Sequence, residues 1–97
     1  MIRSFADVGT ADIFDGRASP TARRACPPSR WPVARRKLDQ VNRVRDLNAL
    51  AVPPGNRLER LRGARAGQYS LRLNDQYRLC FRWEDGYADE VEIPDYH

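Results

Sequence analysis

The chain has 97 residues, of which 41% are hydrophobic and 31% charged, enough for one modest core. No apolar run approaches the ~20 residues of a membrane span. The opening Met1-Ile2-Arg3-Ser4-Phe5 lacks a signal-peptide hydrophobic stretch, which argues against membrane spanning and signal-led secretion. Cys26 and Cys80 lie far apart in sequence, and neither has a second Cys or a His at metal-ligand spacing, so a reduced cytoplasmic protein without metal or other cofactor is expected. The formal charge is +4, and of the 17 basic residues only Lys37 is not arginine. The charge is also segregated. Residues 84–97 hold Glu84, Asp85, Asp89, Glu90, Glu92 and Asp95 and no Arg or Lys, which leaves residues 1–83 at +10. A body this rich in arginine, whose planar fork suits phosphate and stacks on bases, points to a polyanionic partner such as nucleic acid.

In chain order, Ile2–Phe5 can start a short strand. Asp7–Phe14 reads as a short helix stopped by Gly16. Residues 17–30, with Pro20, Pro27 and Pro28, read as a loop with a helical turn around Ala22–Ala25. Ser29 can cap a longer helix, with Pro32 in its first turn. Ala34, Leu38, Val41, Val44 and Leu47 then recur at spacings of three and four, the apolar stripe of an amphipathic helix to about Leu50. Arg35, Arg36 and Arg43 fall on its wet side. Val52-Pro53-Pro54-Gly55-Asn56 breaks the pattern, and the period changes to two. Leu58 and Leu61 mark a short strand. Tyr69, Leu71 and Leu73 alternate with Ser70 and Arg72. Tyr77, Leu79, Phe81 and Trp83 alternate with Arg78, Cys80 and Arg82, and Val91 and Ile93 alternate with Glu90 and Glu92. Asn74-Asp75 and Asp85-Gly86 are turn signals.

The sum is an α+β domain over residues 1–97, β-α-α-β-β-β-β, with an antiparallel sheet and two helices packed on one face. Tyr69, Tyr77, Phe81 and Trp83 face that core, and Cys80 is a buried structural thiol. The other face carries Arg78, Arg82 and Arg72, bordered by Arg62 and Arg65, and forms a seat for an RNA backbone. Pairing of Arg78 and Arg82 with Glu90 and Glu92 is the structural alternative.

An ordered set of motifs resembles the HigB toxins of the RelE/ParE superfamily. It comprises Gly55-Asn56-Arg57-Leu58-Glu59, Leu61-Arg62-Gly63, Gly67-Gln68-Tyr69-Ser70, Asn74–Trp83, Asp89-x-Val91 and Asp95-Tyr96-His97. Ile2–Phe5 and Trp31-Pro32-x-Ala34-Arg35-Arg36-Lys37-Leu38 fit as well. The resemblance implies a small α/β toxin of a type II toxin–antitoxin system that cuts messenger RNA in the ribosomal decoding site. It also implies a HigA-type helix-turn-helix antitoxin as inhibitor, with operator DNA bound only through their complex. By the same resemblance Arg62 and Arg78 clamp the scissile phosphate, and Asp95, Tyr96 and His97 form the functional tail. His97 is then the leading acid or base, because imidazole alone titrates near neutrality, at about 6.5. Arg35, Arg36, Arg43, Arg65, Arg72 and Arg82 are expected to contact RNA or the ribosome. Two positions depart from the pattern. Glu59 stands where some members carry histidine, and can act as a base or orient Arg62. Ala64 stands where many carry aspartate. A ParE-like gyrase inhibitor, or a toxin that only binds its antitoxin, are the alternatives, since the fold does not separate them.

Overall fold

The computed structural model describes residues 1–94; Asp95, Tyr96 and His97 lie outside the described residues. The element order is α1 (Val8–Asp15), α2 (Pro20–Ala25), α3 (Trp31–Arg43), then β1 (Glu59–Arg60), β2 (Gln68–Arg72), β3 (Arg78–Glu84) and β4 (Tyr87–Glu92), with short 3-10 turns between. The strands form one antiparallel meander in the order β1-β2-β3-β4. The α+β class and the meander read from the sequence are what the chain adopts.

Each helix starts where the local chemistry allows. Asp7 caps α1, its carboxylate accepting from Thr10 N at 2.6 Å, and Gly16 closes it in the left-handed region at φ 79°. The expected loop over residues 17–30 is half helix, because Ser19 caps Ala22 N at 3.0 Å and Pro20 supplies a preset φ in the first turn. A third helix therefore joins the two expected. Ser29 does not cap α3; that helix follows directly from a 3-10 turn at Pro28–Arg30, and its N-cap is Arg30, with no side-chain bond. It also stops earlier than the apolar spacing predicts. Val44 turns extended at ψ 147°, and Asp46 accepts from Asn48 N at 3.0 Å, diverting the chain into a 3-10 turn at Leu47–Ala51. Val44 and Leu47 still pack on the core, so the stripe reports burial correctly but not helix length.

The three helices cover one sheet face. Ile13, Leu38, Val41, Leu50, Leu71, Leu79, Phe81 and Val91 are fully buried in a single cluster. Phe81 stacks beside Tyr69 and meets Trp83 edge-on, both with ring centroids 6.3 Å away. Burying a side chain of that size stabilises by about 1.5–3 kcal/mol. Asp85 and Gly86 both take positive φ, 52° and 82°, the geometry of a tight two-residue hairpin that Asp-Gly encodes. The first residues form no regular strand. They lie parallel beside β4 through bridges at Ile2–Ala88 and Phe5–Val91, with Arg3 N donating to Ala88 O at 2.8 Å and Ala6 N to Val91 O at 2.9 Å. Arg3 also pairs with Asp89, whose carboxyl this holds below its ordinary range.

Helices α1 and α2 approach so closely that a Cβ on Gly9 would sit 2.3 Å from the Thr21 carbonyl oxygen. Asp12 fastens the pair. Its carboxylate accepts from Ser19 Oγ at 2.6 Å and Thr21 Oγ1 at 2.8 Å, which holds its pKa below the usual value. A depressed folded-state pKa contributes stability above the unfolded value of about 3.9. That contribution is lost as pH falls through the folded value. Asp12→Ala is accordingly expected to lower Tm at pH 7 and to flatten the fall of Tm between pH 5 and 3, measured by thermal circular dichroism. An unchanged acid profile would contradict the assignment.

Cys26 and Cys80 are both free and buried. Burial pushes the Cys26 thiol up to about 11. Because both side chains are shut off from solvent, thiol reagents at pH 8 should leave both cysteines unmodified until denaturant is added. Rapid labelling of the native protein would contradict their burial.

Candidate active site on the open sheet face

The face of the sheet opposite the helices is polar, and its register aligns Glu59, Ser70, Cys80 and Glu92 in one row across all four strands. Arg78 enters this row diagonally. Its Nε donates to Ser70 Oγ at 2.9 Å, and its Nη2 donates to the Arg57 carbonyl at 3.2 Å and pairs with Glu59 Oε2 at 3.2 Å. A guanidinium held on a hydroxyl, a carbonyl and a carboxylate has lost its rotamer freedom while half-buried, so it is pre-positioned for an oxyanion. Arg57 reaches its place through a left-handed backbone at φ 46°.

The other end of the row is closed by Arg65, whose Nη1 pairs with Glu92 Oε1 at 2.6 Å and donates to Gln68 Oε1 at 3.0 Å. Arg82 pairs with Glu90 at 2.5 Å. That contact follows from a bulge in β4. Cys80 faces Glu92 and Arg82 faces Asp89, so β4 carries an extra residue there, and Glu90 sits at φ 53°. Of the two cross-strand pairs weighed from the sequence, Arg82–Glu90 forms. Arg78 takes Glu59 instead, and Glu92 takes Arg65. Cys80, on the polar side by alternation, is fully buried under these side chains.

The two arginines expected to clamp one phosphate start from different levels of the sheet. Leu61 N donates to Gln68 O, which sets Arg62 at the Gln68 end of β2, whereas Arg78 is aligned with Arg72 at the other end. Four residues of strand, roughly 13 Å, separate those levels. The Arg62 side chain is exposed, makes no hydrogen bond or ion pair with the described residues, and lines a shallow depression of about 310 Å³ with Leu61, Ala64 and Arg65. Glu59 orients Arg78, not Arg62. The sequence missed Ser70, Arg57 and Arg65 as partners in this arrangement. Only strand register brings them together, although Ser70 and Arg65 stood in the right alternation and loop.

The helical arginines divide. Arg35 donates from Nε to the Ile13 carbonyl at 3.1 Å, fastening α3 to α1. Arg36 and Arg43 are exposed, and Arg72 pairs with Asp75. Beyond Glu92, opposite Cys80, the chain leaves β4 toward the Arg78 end of the sheet, and Pro94 is the last described residue. Asp95, Tyr96 and His97, the expected functional tail, lie outside the described residues. No cluster of metal-binding side chains occurs among the described residues, and no helix there is long and apolar enough to cross a membrane.

Residues 3–97 match the model of the HigB-like toxin family, described as the RelE-like toxin of type II toxin–antitoxin system HigB. The chain belongs to the HigB-like toxin family. Over 53 residues, 55% of the chain, it is 47% identical to Toxin HigB-1 of Vibrio cholerae, and the match covers 56% of that protein. Over 67 residues, 69% of the chain, it is 39% identical to an uncharacterized protein of Haemophilus influenzae, covering 66% of it. The chain thus matches less than two thirds of the length of either relative. Among solved structures, two of the YoeB–YefM toxin–antitoxin complex of Staphylococcus aureus each contain a chain that superposes with a TM-score of 0.54 at 14% identity. They cover 100% of this chain and 98% of theirs, and one is a heterotetramer. At that identity the likeness is one of fold.

Proposed function

We propose that this HigB-family toxin is a metal-independent endoribonuclease that cuts messenger RNA in the ribosomal decoding site and so blocks translation. The observation that carries the reading is the pre-positioned Arg78 guanidinium, braced by Ser70, Arg57 and Glu59 on an open face rich in arginine. Cleavage by 2′-OH attack needs a base for the hydroxyl proton, fixed cations for the charge growing on the phosphate, and an acid for the departing 5′-oxygen. The 2′-oxygen bonds to phosphorus as the bond to the 5′-oxygen breaks, leaving a cyclic phosphate. Arg78 meets the second need, with Arg62 as a second cation at the other end of the strand. The tail Asp95-Tyr96-His97 follows from a strand that leaves the sheet at the Arg78 end. In this reading it supplies the proton transfers, with His97 as the first choice. Glu59 braces the cation or takes the hydroxyl proton itself. Arg82 and the other face arginines hold RNA backbone. The partner in the cell is a HigA-type helix-turn-helix antitoxin, with operator DNA reached only through the complex, and the site of action is the cytoplasm.

The test is cleavage of message on programmed ribosomes by the purified protein, with free RNA and EDTA in parallel, and a truncation lacking residues 95–97 as control. The expected result is cutting of ribosome-bound message that survives EDTA and is lost on truncation. A folded protein that leaves the message intact would overturn the nuclease, and gyrase-dependent DNA damage in its place would identify the ParE-like alternative.

A further inference from the structure

Away from the open face, one concave surface gathers cations that form no ion pair among the described residues. A cleft of about 360 Å³ between α3 and the Pro53–Asn56 segment is lined by Arg36, Lys37, Gln40, Arg43, Pro53 and Asn56. Its floor is fixed. Asn56 is fully buried, and its Nδ2 donates to Gln40 Oε1 at 3.0 Å and to the Leu50 carbonyl at 3.1 Å. Gln40 Nε2 donates to the Val52 carbonyl at 2.7 Å, and Lys37 Nζ donates to Asn56 Oδ1 at 2.5 Å. Arg36, Lys37 and Arg43 form no ion pair among the described residues, whereas Arg3, Arg65, Arg72, Arg78 and Arg82 are each matched by a carboxylate. Burial, then the charges of Arg36 and Arg72, draws the Lys37 pKa down. Like charges gathered at one concavity raise the local potential and favour an arriving anion.

Two links join this cleft to Arg78. Asn56 is followed directly by Arg57, whose carbonyl accepts from the Arg78 guanidinium. Arg72, whose charge reaches Lys37, is the cross-strand neighbour of Arg78. A basic path therefore runs from the open face round the end of β2 to α3.

We propose that the cleft of Arg36, Lys37 and Arg43 is a phosphodiester subsite, holding the backbone of the RNA strand beside the phosphate that Arg78 meets. The proposal rests on the RNA-directed reading above, yet is tested by binding alone. The probe is a fluorescent single-stranded oligonucleotide with 2′-O-methyl groups, which lacks the attacking hydroxyl, titrated with the full chain over a range of salt. For R36A/R43A the expected result is an affinity about tenfold or more lower, and a log–log salt slope reduced by about 0.7 for each phosphate no longer neutralised. R23A/R24A removes the same charge from exposed positions on α2 and should change affinity and slope far less. Unchanged affinity and slope in R36A/R43A, equal losses in both pairs, or no binding by the unmutated protein would each overturn the subsite. A protein that binds as expected but leaves ribosome-bound message uncut keeps the subsite and loses the nuclease. One that cuts while R36A/R43A binds normally does the reverse.

Discussion

Arg78→Ala should lower cleavage of ribosome-bound message by about 10²–10³-fold, the usual cost of removing one pre-positioned donor to developing negative charge. The side chain lies on the open face outside the hydrophobic core, so the fold should survive, which thermal unfolding will check. Arg78→Lys should recover little, because an ammonium cannot bond Ser70 and Arg57 and still present a planar edge to phosphate. Ser70→Ala should fall between Arg78→Ala and the unmutated protein, since it removes the hydroxyl that holds Nε and leaves the cation in place. Full activity in Arg78→Ala would remove the open face from the mechanism.

Asn56→Ala should cost about 2–4 kcal/mol of stability, read as a shift in the urea midpoint at unchanged m-value. The Asn56 amide satisfies the Leu50 carbonyl and Gln40 from its nitrogen, and the Lys37 ammonium from its oxygen, all at a position with no solvent exposure. Truncation strands those groups, and each buried group without a partner costs about 1–3 kcal/mol. The same variant should lose cleavage beyond what its unfolded fraction explains, because the segment that Asn56 roots carries the Arg57 carbonyl beneath Arg78. A variant with wild-type stability would mean that water replaces the amide.

The strands were readable because each shows period-two alternation between clear turns; Asp85-Gly86 and Asn74-Asp75 fall at the hairpin bends. The stripe from Ala34 to Leu47 identified the buried side of α3. It could not show that Asp46 would compete for the backbone and end the helix early, since capping by one carboxylate leaves no trace in periodicity. Helix α2 was hidden for a similar reason: six residues bounded by prolines carry too little pattern, and the serine that caps it reads equally as loop. At the site, the sequence singled out Arg78 and Glu59 but joined Glu59 to the wrong arginine. Which residues meet across strands depends on register, and a single bulge at Glu90 decides which acid reaches Arg82.

The parallel seam between the first residues and β4 sets an order of events during synthesis. Ile2 waits for Ala88 and Phe5 for Val91 before either finds its partner. Some eighty residues must be translated first, so local helices can form early while the sheet stays open on one side. A protein proposed to silence ribosomes therefore completes its own fold only after its fourth strand has cleared the ribosome that makes it. Until then the edge of the sheet that the first residues cover stays unpaired.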